Sequence, residues 1–174
     1  MPPRSLDSRL RAYVLTTRRQ AGLSNLGLKY PKILIVEPLQ FTTDDFVYVP
    51  QMDADHQKLF EAAENVRQAV ALGKSASQIG FLLWRLSKSF SAHLAGEERL
   101  MRSSRYPGFQ WHERQHHAGR TKMACLTQAV HRNDELGMRN GFQDLARWMA
   151  DHIHLADRMF AAHLRNDQRE RVAS

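Results

Sequence analysis

Two pairs of metal-competent side chains sit at four-residue spacing near the middle of this chain: His93 with Glu97, and His112 with His116. On an α-helix, residues i and i+4 point the same way, so each pair can close on one ion or one cluster. Tyr106-Pro107-Gly108 between them is a turn signal, which makes the pairs parts of two successive helices folded back on each other. His56, His152 and Asp157 offer the same donor chemistry elsewhere in the chain. Together the set holds five imidazoles and two carboxylates. That exceeds what one tetrahedral zinc takes, and no thiolate set is present. Two ions bridged by Glu97 and Asp157 use every donor, and imidazole with carboxylate suits iron.

The elements that must carry these residues are helices. Helix A is expected over about 54–72, with Asp53 at its N-cap and His56, Leu59/Phe60, Ala63, Val66 and Val70 facing inward. Helix B follows over about 75–102, with Leu82/Leu83, Leu86, Phe90, His93, Glu97 and Leu100/Met101 inward. Helix C spans about 110–132, with His112, His116, Gly119, Met123, Leu126 and Val130 inward. A polar connection from Asn133 to Gly141 leads to helix D, about 142–165. Its stripe is Leu145, Met149, His152, Ala156, Met159/Phe160 and His163/Leu164. All four stripes step 4-3-4-3, the period of helices packed at a shallow angle. Short connections make neighbours antiparallel. The expected fold is all-α, an up-down-up-down antiparallel four-helix bundle over residues 41–165. Phe41 to Met52 reads as an extended lead-in, residues 1–40 as an irregular N-terminal arm, and residues 166–174 as a polar C-terminal tail.

In that topology the start of A lies level with the end of B, the start of C and the second half of D. All seven donors then fall in one slab across the bundle interior. Singly they mean little. Nine histidines in 174 residues make one His-x-x-x-His pair a roughly even chance from composition. A lone His56 or His152 on an apolar face reads first as a hydrogen-bonded core histidine. Burying all seven together without a cation, however, leaves unpaired charge at a cost on the order of several kcal/mol per group. A ferritin-like site needs two Glu-x-x-His strings, and this chain has one, Glu113-Arg-Gln-His116, whose Glu113 points off the inward stripe.

Bulk properties narrow the class further. The net charge of +7 suggests nucleic acid at first sight, but residues 1–40 carry seven Lys/Arg against Asp7 and Glu37 and so account for +5 of it. The body is nearly neutral, and no nucleic-acid partner is expected. The longest aliphatic run, Ile33-Leu-Ile-Val36, is far short of a membrane span, so no membrane role is expected either. The basic start lacks the apolar centre of a secretory signal, and the single Cys125 excludes an intrachain disulfide framework; both suit a cytoplasmic protein.

The motifs over residues 41 to about 160 resemble the hemerythrin family, in its single-domain bacterial form with an HHE cation-binding domain. Phe41-Thr-Thr-Asp-Asp-Phe46 and Met52-Asp-Ala-Asp-His56-Gln-Lys-Leu-Phe60 are similar to the lead-in and first ligand motif. Phe90-Ser-Ala-His93-Leu-Ala-Gly-Glu97-Glu-Arg-Leu-Met101 resembles the second, and Tyr106-Pro107 with His112-x-x-x-His116 the third. Trp148 to His152-Ile153, then Asp157, resembles the fourth. The resemblance implies that His112, His116 and His152 saturate one iron and that His56 and His93 bind the other, leaving a position open. It further implies that Glu97 and Asp157 bridge the two Fe ions together with an oxo or hydroxo oxygen. The implied function is reversible O2 binding for storage, delivery or sensing, with no residue assigned to catalysis. The alternatives are a di-iron oxidase or peroxidase, an enzyme handling nitric oxide, or an iron-repair or signalling module working through residues 1–40.

Three positions depart from the family pattern: Phe41 where Trp is usual, Tyr48 where Gly is common, and Gly119 where Phe is common. Gly119 lies three residues after His116, among the pocket candidates Phe60, Phe90 and Met123. Losing the ring opens volume beside the centre and admits solvent, O2, NO or peroxide, unless Phe142 or another ring refills it. That opening is what would favour oxidase or peroxidase activity. His117, His131, His154 and His163 fall outside the ligand frame and read as solvent-facing or capping groups. Trp84, Trp111 and Trp148 read as packing, and Met123, Met149 and Met159 as pliable core.

Overall fold

The structure is a computed structural model that describes residues 38–173, with side chains to position 169. Most of the arm expected over 1–40 therefore lies outside the described residues. After a 3-10 turn at Thr43–Asp45, the chain forms helices α1 (Pro50–Ala71), α2 (Ala76–Ser103), α3 (Phe109–His131) and α4 (Glu135–His152). A π-helical turn, Ile153–Asp157, then joins α4 to α5 (Arg158–Ala173). The residues at both junctions, Ile153 and Arg158, keep right-handed helical angles, so α4, the π turn and α5 form one unbroken rod. The molecule is a helical bundle, and among the described residues there are no strands.

Local chemistry explains where each helix starts and stops. Pro50 opens α1 with its preset φ. Asp53, expected as N-cap, sits inside the first turn instead and accepts the Val47 N–H at 2.7 Å. The lead-in is accordingly shorter than the extended stretch expected, and Thr42 with Asp45 closes its 3-10 turn through hydrogen bonds of 2.7 and 2.8 Å. Ser75 caps α2 reciprocally with Gln78. At Gly73, Arg105 and Asn133 the backbone turns left-handed, and each preceding helix closes through the same pair of backbone hydrogen bonds.

The largest departure from expectation is the start of the fourth helix. Asn133 to Gly141 was expected as a connection, but Asp134 accepts the Gly137 N–H at 2.9 Å and launches α4 at Glu135. Gly141 reads in sequence as a breaker. In the fold it lets α4 approach α3: a Cβ there would stand 3.2 Å from Leu126 Cα. At the other end the helix runs through the expected tail to Ala173.

The core stacks Leu59, Val66, Leu83, Leu86, Phe90, Leu94, Met101, Leu126, Leu145 and Phe160 between the helices. Each fully buried Leu or Phe contributes about 1.5–3 kcal/mol. Met159, expected inward beside Phe160, is half exposed because the π turn shifts the register of everything after it. No helix of the described residues is long and apolar enough to cross a membrane.

Candidate metal centre

Four helices and one turn deliver the donors. His56 lies in the second turn of α1, His93 and Glu97 in the second half of α2, and His112 and His116 near the start of α3. His152 is the last residue of α4 and Asp157 the last of the π turn. All seven are buried. One donor atom from each of Glu97, His112, His116, His152 and Asp157 lies within 4.8 Å of the others, and the same holds for His56, His93, Glu97 and Asp157. Both carboxylates thus belong to both groups.

His152 and Asp157 are five residues apart, a spacing that defeats an ordinary helix. At about 100° per residue, an α-helix would set them about 140° apart. The π turn closes hydrogen bonds one residue further on and brings the fifth residue back to the starting face. His152 Nε2 consequently stands 3.0 Å from Asp157 Oδ1.

The contacts inside the cluster fit a cation better than a hydrogen-bonded core. His112 and His152 point their Nε2 atoms at each other across 3.1 Å. Asp157 Oδ1 is 3.1 Å from His112 Nε2, and its Oδ2 is 3.1 Å from His56 Nε2. Glu97 Oε2 is 3.2 Å from His116 Nε2 and 3.8 Å from His93 Nε2. Despite these distances, His56 Nε2, Glu97 Oε1 and both Asp157 oxygens make no hydrogen bond. Buried polar atoms are ordinarily paired, so a convergence of unpaired lone pairs is a donor set.

Electrostatics agrees. Burial opposes ionisation of Asp157, but His152, His112 and His56 hold its carboxyl well below the ordinary range. Burial and the Asp157 charge both push Glu97 up, and contacts with His112 and His116 outweigh them to hold it at about 2. Burial likewise opposes protonation of His112, yet the two carboxylates raise it to about 9. At His93 burial prevails and lowers it. The centre of the cluster favours positive charge.

The surroundings decide between the two expectations for Gly119. Gly119 opens no cavity, because Trp148 fills the space: a Cβ at Gly119 would lie 2.5 Å from the indole. The refilling ring is Trp148 rather than Phe142, which is buried elsewhere in the core. Trp148 also stacks on His152, with ring centroids 4.6 Å apart and planes at 19°, and packs edge-on against Phe90. Phe60, Phe90, Met123 and Gly119 are all buried.

Sequence reasoning passed over four polar contacts around the ligand helices. Glu98, beside Glu97, accepts from His116 Nδ1 and from Arg120. Burial works against its ionisation, but those two donors hold the Glu98 carboxyl below its ordinary value. The signal available was Arg120 at four residues from His116 on the same helix face. His154 donates to Asp45 at 2.9 Å and ties the lead-in to the π turn, while His163 donates to the Ser104 carbonyl at the end of α2. Glu113 pairs with Arg102 at 3.2 Å near the surface, off the cluster.

Compared with known families, the chain matches the hemerythrin HHE cation binding domain over residues 47–164. No curated protein and no solved structure matches it.

Proposed function

The chain belongs to the hemerythrin HHE cation-binding family, and from that footing we propose that it binds O2 reversibly at a pair of iron ions. The observation that carries the reading is the unequal sharing of donors. One group offers three imidazoles, the other two, and Glu97 with Asp157 serves both. His112, His116 and His152 would complete one ion, whereas His56 and His93 would leave room at the other for a small exogenous ligand. When bound, the iron pair supplies the two electrons that O2 takes up and recovers them on release.

The chain's own part is to bind, orient and exclude. Its imidazoles must be neutral to ligate, and burial keeps His93 so. Phe60, Phe90, Met123 and Gly119 would wall the O2 pocket, and Trp148 closes the flank that Gly119 leaves bare. A dry, apolar wall there would keep water away from the site. With that flank closed, the structural ground for favouring an oxidase or peroxidase falls away.

The same reading takes the bundle as up-down-up-down with antiparallel neighbours. Its support is that the start of α1, the second half of α2, the start of α3 and the end of α4 meet at one cluster. A cytoplasmic setting without nucleic-acid partners is part of the proposal, supported by the near-neutral body and the single cysteine.

The test is iron per chain together with the visible spectrum of the aerobic protein. Two irons and a charge-transfer band that disappears on deoxygenation and returns on re-aeration support O2 carriage. Protein without iron, or a colour that survives deoxygenation, rejects it.

A further inference from the structure

His116 differs from His56, His112 and His152 in what stands behind it. Its Nδ1 donates to Glu98 Oε1 at 2.9 Å, and the same oxygen accepts from Arg120 Nη2 at 2.8 Å. The Nδ1 atoms of His56, His112 and His152 have no hydrogen-bond partner. The Glu98 side chain is only 13% exposed, so this contact is shielded from water.

The local geometry accounts for the arrangement. Glu97 and Glu98 are neighbours on α2, about 100° apart around its axis. Glu97 therefore faces the cluster while Glu98 faces α3. His116 is held at both nitrogens by this dipeptide, Nε2 at 3.2 Å from Glu97 Oε2 and Nδ1 at 2.9 Å from Glu98 Oε1. Arg120 lies one turn beyond His116 on α3 and fixes the Glu98 carboxylate from the far side.

We propose that Glu98, braced by Arg120, is a positioning residue that keeps the His116 proton on Nδ1 and its Nε2 bare toward the metal. This rests on the reading of the cluster as a metal centre. A carboxylate accepting from Nδ1–H fixes ring tautomer and orientation, and it makes Nε2 a stronger donor. Three imidazoles serve that ion, and one of them carries extra negative character. The two metal positions are thus electronically unequal, beyond their difference in imidazole number. Without Glu98, the His116 proton can move to Nε2 and donate to Glu97, which removes both atoms from ligation.

The test compares wild type with Glu98→Gln, Glu98→Ala and Arg120→Gln in the full chain. Each is loaded anaerobically with ferrous iron and then challenged with a chelator. Glu98→Ala is expected to lose iron at about 10–100-fold lower chelator concentration than wild type. Glu98→Gln keeps an acceptor without the charge, so it should retain iron better than Glu98→Ala while its midpoint potential moves positive. Arg120→Gln takes away the cation that shares Glu98 Oε1 with His116, so the carboxylate pulls harder on Nδ1–H and the potential should move the opposite way, to the negative side. A purely structural Glu98 would leave the potential of Glu98→Gln unchanged, and that result overturns the proposal. Ring 15N shifts of His116 in the metal-free chain give a readout independent of iron. Nδ1 protonated in wild type and not in Glu98→Ala supports the proposal; the same tautomer in both overturns it. Should wild type hold no iron while this tautomer difference is present, the function proposed above fails and the positioning of His116 stands.

Discussion

At the scale of single residues, Gly119 and Trp148 act as one unit. Glycine in mid-helix costs about 1 kcal/mol relative to alanine, so Gly119→Ala would ordinarily stabilise α3. Here the added Cβ would meet the indole at 2.5 Å, closer than atoms can stand, and Trp148 would have to leave its stack on His152. Overpacking of this kind costs about 1–3 kcal/mol and outweighs the gain in propensity. Gly119→Ala is therefore expected to lower stability by about 1 kcal/mol, read by urea unfolding of the metal-free chain. Trp148→Leu should be destabilising alone, yet in its presence Gly119→Ala should turn neutral or stabilising. Additive effects of the two substitutions would show that they do not meet. The site itself follows the same logic of paired neighbours, for Glu97 and Asp157 are each drawn to low pKa by the imidazoles that surround them.

At the scale of elements, the π turn is the device that places Asp157. It accommodates one residue more than an α-helical turn would, and Leu155, more than half exposed, is the least constrained residue within it. Deleting Leu155 would leave His152 and Asp157 at i, i+4 spacing, which shares a face on a plain α-helix. That variant, loaded with ferrous iron, is expected to bind it within a few-fold of wild type. Inserting an alanine after Leu155 would rotate Asp157 away from the cluster and abolish metal binding there. Iron counted per chain after gel filtration separates these outcomes. Equal iron in all three proteins would mean that the turn does not set the ligand. Fold and site were readable to different depths here. The i, i+4 pairs and the 4-3-4-3 stripes follow from geometry within one or two turns, so helices at these places were legible. The early start of α4 was not, because Gly137 and Gly141 read as breakers until α3 is seen against Gly141.

At the scale of the whole molecule, the lead-in is strapped across the helices by polar contacts at widely separated points. Arg158 and Arg165 donate to the carbonyls of Asp44 and Val47, His154 donates to Asp45, and the Leu39 N–H donates to Glu64. Glu64 is also gripped by Arg67 through two hydrogen bonds of 2.7 and 2.6 Å. The Arg67 contact outweighs the effect of burial and lowers the Glu64 carboxyl from 4.5 to about 2. A depressed carboxyl stabilises the fold above its ordinary pKa, and that contribution is lost as pH falls from about 4.5 toward 2. Glu64→Gln should cost about 1 kcal/mol at pH 7, and its deficit against wild type should close across that window. A deficit independent of pH in thermal melts would assign the effect to packing. The buried cluster makes a second global prediction. A cation that binds the folded chain alone stabilises it by about 2.7 kcal/mol per site at a hundredfold excess over its Kd. Anaerobic ferrous iron should therefore raise the melting temperature by several degrees, and a chelator should reverse the shift. An unchanged melting temperature would count against a metal centre.

The residue types and their spacing by themselves determined the helical class, most of the inward faces and the candidate donors, because a helix face repeats within a turn and is written locally. Only the tertiary structure decided how those donors meet. His152 and Asp157 share a face through a π turn that no α-helical period predicts. Trp148 occupies the space beside Gly119, and Glu98 stands behind His116, because of axial offsets and rotamers set between helices. Such offsets depend on how side chains from distant parts of the chain fill one shared interior, and no stretch of sequence carries that alone.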